Sequence, residues 1–173
     1  MSWRRRNILL LLIVLAVCLE VLPWDSSLCE DLPTTVIIVR HAEKSAPTGD
    51  IPLSEAGFER AQTLARVVSD AGISAIYTSK LLRTIQTAEP SARLLGLVPQ
   101  HINEVKSLAK NILDDHAGQT VLVVHHSDTL PELIVALGAN TKPIIGENEF
   151  DKLFVVTVYA PHKVKVLILR YGK

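Results

Sequence analysis

Cysteine is nearly absent: the 173 residues hold two, Cys18 and Cys29, both near the N-terminus. That scarcity excludes a disulfide framework and a cysteine-rich zinc module. Net charge is absent as well, with 18 Lys and Arg against 18 Asp and Glu. A chain so balanced carries no basic footprint for nucleic acid and no polyanionic tail. Repeats and low-complexity tracts are missing too. Disorder of the chain as a whole is excluded, because 48% of its residues are hydrophobic and no charge excess opposes collapse. What remains is a length that suits one domain with a core large enough to need no staples.

The longest apolar run lies at the start. Arg4, Arg5 and Arg6 precede an unbroken apolar stretch over residues 8–19, which Glu20 ends. A basic segment followed by an apolar one of this length reads as a secretory signal over residues 1–29. It is short for a bilayer span, which needs ~20 apolar residues, so an uncleaved membrane anchor is the second choice. Cleavage is expected near Cys29, after which the chain keeps no cysteine and has one more acidic than basic side chain. A chain without thiols suits an oxidising compartment, so the expected location is periplasmic or extracellular. Contact with a membrane is expected only through this segment, if it stays attached.

Residues 30–173 alternate strand and helix signals and are expected to form one catalytic domain. Residues 35–40 and 120–125 are β-branched apolar runs with the composition of buried strands. Ser54 caps a helix with Ala61, Leu64, Ala65 and Val68 at helical spacing, closed by Gly72. A short strand covers 75–78. Ile85, Ala88, Ala92 and Leu95 stripe a second helix that Gly96 ends, and a third runs over 105–115. Pro131 suits the first turn of a fourth helix, which Gly138 closes. Residues 153–159 and 164–171 read as a hairpin. The expected fold is a three-layer α/β/α domain with a mixed, mostly parallel sheet and a C-terminal β-hairpin at its edge. Residues 143–149 are expected to be a loose loop, and His101, His116 and His162 to face solvent.

Ligands of open α/β sheets bind beyond the carboxyl ends of the strands. The two buried strands end in Arg40-His41-Ala42-Glu43-Lys44 and His125-His126-Ser127-Asp128-Thr129, and the short strand leads through Ser79 to Arg83. One rim thereby collects His41, His126, Arg40, Arg83 and Lys44. That set suits a phosphate dianion. Guanidinium forks pair with phosphoryl oxygens, a neutral imidazole can attack phosphorus, and a protonated one can stabilise the charge that develops. Neighbouring cations also keep the attacking ring neutral.

These segments resemble, in order, the motifs of the histidine phosphatase superfamily, which includes the phosphoglycerate mutases. Arg40-His41-Ala42-Glu43 is like its Arg-His-Gly motif with Ala for Gly. Pro52-Leu53-Ser54-Glu55-Ala56-Gly57, then Ser79 with Arg83-Thr84 and Gln86-Thr87-Ala88, match its middle blocks, and residues 123–131 look like its Gly-His-Ser-Asn-Thr segment. The resemblance implies His41 as a phosphorylated nucleophile, with Arg40, Arg83 and His126 as the phosphate pocket and Lys44, Ser127 and His125 on the substrate side. No cofactor and no metal are expected. His125 stands where the family has Gly, and Asp128 replaces Asn. The chain lacks the long insert of the mutases, which favours hydrolysis over recapture of the phosphoryl group. Glu104 is favoured as the leaving-group acid, with Glu43 and Asp128 as competitors.

The expected activity is hydrolysis of phosphomonoesters or phosphoramidates through a phosphohistidine. The expected partner is a small phosphorylated substrate, an envelope phosphosugar by analogy, and no nucleic acid. Two alternatives stay open. One is a metal-dependent hydrolase using His125, His126 and Asp128 with His41, a reading that two arginines in the same pocket oppose. The other is a phosphate-binding module without turnover.

Overall fold

The computed structural model describes residues 32–172; the segment read as a signal lies outside the described residues. Six strands form one sheet: β1 (Thr34–Arg40), β2 (Ile73–Thr78), β3 (Gln100–His101), β4 (Thr120–His125), β5 (Lys152–Ala160) and β6 (Lys163–Arg170). Their spatial order is β3-β2-β4-β1-β5-β6. The pairs β3–β2, β2–β4 and β4–β1 are parallel, and β1–β5 and β5–β6 are antiparallel. The sheet is thus mixed and the hairpin occupies its edge, in agreement with the sequence. Among the described residues four helices accompany it: α1 (Glu55–Val68), α2 (Leu82–Leu95), α3 (Val105–Asp115) and α4 (Thr129–Ala136). Among the described residues no helix is long and apolar enough to cross a membrane.

Alternation along the central strands divides the core between two faces. Val36 and Ile38 of β1, with Val121 and Val123 of β4, pack under Leu108 and Ile112 of α3 and Leu130, Leu133 and Ile134 of α4. Ile37 and Val39, with Leu122 and Val124, meet Leu64 and Val68 of α1 and Ala88 and Ala92 of α2. Covered on both sides, β1 and β4 need apolar residues at nearly every position, which is why their sequences do not alternate with polar ones.

Two local differences from the sequence reading have physical causes. The first helix stops at Val68, short of Gly72, whose φ of +65° instead turns the chain into β2. On α2, Ile85 and Leu95 are only partly buried, whereas Thr84, Thr87 and Ser91 are fully buried. On this face the Thr87 hydroxyl serves the loop after β1, and the Thr84 hydroxyl serves the segment after β2.

The chain visits β1, β2 and β3 in one direction across the sheet, then returns to insert β4 between β2 and β1. Arg40 and His125 are register partners at the carboxyl ends of β1 and β4. The residues that follow both strands therefore emerge side by side where the strand order reverses, the place at which such sheets bind ligands.

Candidate active site

His41 follows β1 directly, and its backbone N–H donates to the carbonyl of His125 at 2.9 Å, extending the β1–β4 ladder by one bond. Its ring is buried, with a relative exposure of 4%. Nδ1 lies 2.8 Å from the carbonyl oxygen of Ala42. A carbonyl only accepts, so Nδ1 carries the proton and Nε2 keeps its lone pair. Burial pulls the pKa of His41 from 6.5 down to about 4. The Ala42 hydrogen bond opposes that shift, while the charges of Arg40, Arg83 and Lys44 add to it. Neighbouring cations do act as expected, but desolvation is the larger cause.

The loop after His41 is gripped by α1 and α2. Ala42 N–H donates to Thr87 Oγ1 at 2.9 Å, and Leu53 N–H to Gln86 Oε1 at 2.8 Å. Thr87 in turn donates to the Arg83 carbonyl at 2.7 Å. Ser54 caps α1 by accepting from Gly57 N–H at 3.1 Å. A Cβ at position 57 would lie 2.2 Å from the Glu43 carbonyl oxygen, so only glycine allows this approach. Ala42 has no positive φ, and alanine therefore fits where the family's motif has glycine.

His126 begins the turn from β4 into α4, and its ring meets that of His41 edge to face, centroids 5.5 Å apart. Its Nε2 is 2.9 Å from Ser79 Oγ, and its Nδ1 is 3.4 Å from a terminal nitrogen of Arg83. Guanidinium only donates, so Nδ1 is the unprotonated nitrogen and Nε2–H donates to Ser79. Ser79 Oγ is 2.9 Å from Thr84 Oγ1, whose hydroxyl donates to the Leu81 carbonyl at 2.8 Å. Burial, followed by the charges of His125 and Arg83, lowers the pKa of His126 to about 3.

The two arginines are spent differently. Arg40, at 8% exposure, gives Nη1 to the carbonyls of Glu147, Gly146 and Glu149 at 2.7, 3.0 and 3.3 Å. The loop expected to be loose is therefore fastened to an arginine of the site. Burial lowers the pKa of Arg40, against the charges of Glu147, Asp128 and Glu43. Nε of Arg40 and Nε of Arg83 are both buried without a hydrogen-bond partner. Lys44 sits at the rim, bridged to Leu53, with Nζ donating to the Pro47 carbonyl at 2.6 Å. Ser127 is half-buried in the turn between β4 and α4.

Three expectations are corrected. His125 does not face substrate: it is 2% exposed, with Nδ1 2.6 Å from Thr129 Oγ1 and Nε2 3.1 Å from the Ile102 carbonyl. With both nitrogens committed it ties β4 to the segment before α3, and burial lowers its pKa. Glu104 is exposed and caps α3, its oxygens accepting from the N–H groups of Lys106 and Ser107 at 2.9 and 2.6 Å. Its competitors are occupied too: Glu43 pairs with Arg60 at 2.7 Å, and Asp128 caps α4 through Thr129 N–H at 2.9 Å. His116 does not simply face solvent, since its Nε2 lies 2.8 Å from the hydroxyl of buried Tyr77. Among the described residues no group of three or more His, Cys, Asp and Glu side chains could hold a metal ion.

Sequence reasoning missed Phe150, whose ring centre is 4.2 Å from the Arg40 guanidinium carbon and 6.1 Å from the centroid of His41. It also assigned no role to the hydroxyls of Ser79, Thr84 and Thr87. Polar residues at inner positions of α2 were the available signal for the threonines; nothing local pointed to Phe150.

The family model described as the histidine phosphatase superfamily, branch 1, matches residues 36–106. Over that segment, which holds His41, Arg83 and Glu104, the chain is similar to this superfamily. Solved structures resemble it over most of its length. A mycobacterial glucosyl-3-phosphoglycerate phosphatase aligns with a TM-score of 0.69 at 14% identity, covering 81% of this chain and 100% of its own. The protein histidine phosphatase SixA, complexed with tungstate, aligns at 0.65 and 19% identity, covering 79% and 96%. The phosphoserine phosphatase of Entamoeba histolytica, in complex with 3-phosphoglyceric acid, aligns at 0.59 and 16% identity, covering 81% and 97%. At these identities the likeness is one of fold. No curated protein matches the chain.

Proposed function

We propose that this protein is a phosphatase that hydrolyses small phosphorylated substrates through a phosphohistidine on His41. The observation that carries the reading is the pair of buried guanidinium Nε–H donors, on Arg40 and Arg83, that lack a partner beside an imidazole whose Nε2 is unprotonated. Unmet buried donors are costly, and a phosphoryl oxygen satisfies each with a charge-assisted bond.

In this mechanism His41 Nε2 attacks phosphorus as the ester P–O bond breaks, and the leaving oxygen takes the electron pair. The ring becomes cationic, and the Ala42 carbonyl stabilises it through Nδ1–H. The bound dianion raises the pKa of His126, so that Nδ1 takes up a proton and donates to an equatorial oxygen. Water then attacks phosphorus, the P–N bond breaks, and inorganic phosphate leaves with His41 neutral again. None of the three candidate carboxylates is unoccupied, so substrates whose leaving group departs without a donated proton, such as aryl phosphates, suit the site best.

Turnover of p-nitrophenyl phosphate by the full chain in excess EDTA, with acid-labile phosphate on the protein, is the expected result, and His41→Ala removes both. Loss of turnover on chelation would transfer the activity to a metal-dependent hydrolase. Saturable phosphate binding without hydrolysis of any substrate would leave only a binding module. The basic and apolar N-terminal segment further supports export, and an exported form beginning near residue 30, measured by intact mass, is the expected product.

A further inference from the structure

Arg40 is held from two directions by one segment, residues 146–150. Its Nη1 meets three carbonyls of that segment, and the Phe150 ring lies under its guanidinium plane, 4.2 Å from its central carbon. The same ring stands 6.1 Å from His41, so a single half-buried side chain adjoins both the nucleophile and the anion-binding arginine. The segment is braced in turn. The Glu149 carboxylate accepts from Gly146 N–H and Lys152 Nζ, each at 2.7 Å, and from Arg170 at 3.2 Å. Lys152 also donates to the Ile144 carbonyl at 2.9 Å.

We propose that residues 146–150 are a positioning element of the phosphoryl site, with Phe150 as the residue that orients Arg40. The carbonyls hold one end of the guanidinium, the ring holds its plane, and the Nε edge is left for an oxyanion beside His41. A guanidinium stacks on an aromatic face because the ring quadrupole attracts it, and a leucine of similar bulk offers no such face. An arginine ordered in advance loses little rotamer freedom when the anion arrives. The inference rests on the phosphatase reading of the site.

Its test is calorimetry with inorganic phosphate, alongside KM and kcat for p-nitrophenyl phosphate, on the full chain and on Phe150→Leu, Phe150→Tyr and Phe150→Ala. Leucine and alanine should weaken phosphate binding and raise KM about tenfold, with kcat falling less than about threefold. Tyrosine, which keeps the ring face, should restore both constants. Should Phe150→Ala fail to fold, the leucine and tyrosine variants still decide, because both fill the space. A leucine variant that binds phosphate like the unaltered protein overturns the proposal while the phosphatase reading stands. So does a loss confined to kcat. An unaltered protein that neither binds phosphate nor turns over substrate overturns both.

Discussion

His41 and His126 meet edge to face at the reversal of strand order, ring planes inclined by 61°. One ring is fixed from its own loop, by the Ala42 carbonyl; the other is fixed across the rim, by Ser79. The two rings keep unlike nitrogens unprotonated: Nε2 on His41, and Nδ1 on His126, which faces the Arg83 guanidinium. On the mechanism proposed above, a nucleophile and a future proton donor thus arise from the same residue type through different hydrogen-bond partners.

The depressed pKa values carry a sign. Both rings stay neutral in the folded protein well below the ordinary value of 6.5, to about 4 for His41 and about 3 for His126. After correction for the substrate's own ionisation near pH ~6, the acid limb of kcat/KM should fall near pH 4. A limb at 6.5 would contradict the burial argument. Stability follows the same linkage: the unfolded chain binds these protons first, so stability is complete above pH 6.5 and declines toward pH 4. Denaturant midpoints measured across that window should fall less steeply in His41→Gln.

Thr87→Val keeps the shape of the side chain and removes the acceptor of the buried Ala42 N–H. Leaving that group unpaired should cost about 1–3 kcal/mol in urea unfolding and should lower kcat as His41 loses its support. Thr87→Ser should recover most of both. A neutral Thr87→Val would mean that the loop is held by other contacts.

Arg83→Lys retains charge but loses the planar fork and its Nε–H. Phosphate affinity should drop by roughly 10- to 100-fold, measured by competition against substrate turnover. Equal affinity in the lysine variant would show that charge alone matters there.

Glu104→Ala removes the cap of α3 and should lower the melting temperature while leaving kcat for an aryl phosphate within about twofold. Alkyl phosphates report on the same residue. A selective collapse of their turnover would return Glu104 to the role of acid.

The strands β1 and β4 were legible because burial on both faces demands continuous apolar runs, and such runs are visible without any partner. His41, Arg40, Arg83 and His126 could be nominated because each lies at or just beyond a strand end, or at the start of the helix that follows one. Histidine at 125 illustrates the opposite case. Its neighbour in sequence lies at the candidate site, but its own ring turns to Thr129, four residues ahead, and to the remote Ile102, a contact that only packing against β4 supplies. Glu104 misled for a similar reason: a carboxylate before a helix competes between a distant site and the N–H groups two and three residues ahead, and the local bonds won.

Strand and helix order, the mixed sheet with its terminal hairpin, and the nomination of the two histidines and two arginines as candidates came from the sequence itself, because hydrophobic period and strand-end position are local properties. Tertiary structure alone decided which ring nitrogen is free, which carboxylates are occupied, and that residues 146–150 close on Arg40. Those outcomes depend on hydrogen-bond partners brought from remote parts of the chain, and no short-range pattern encodes such a meeting.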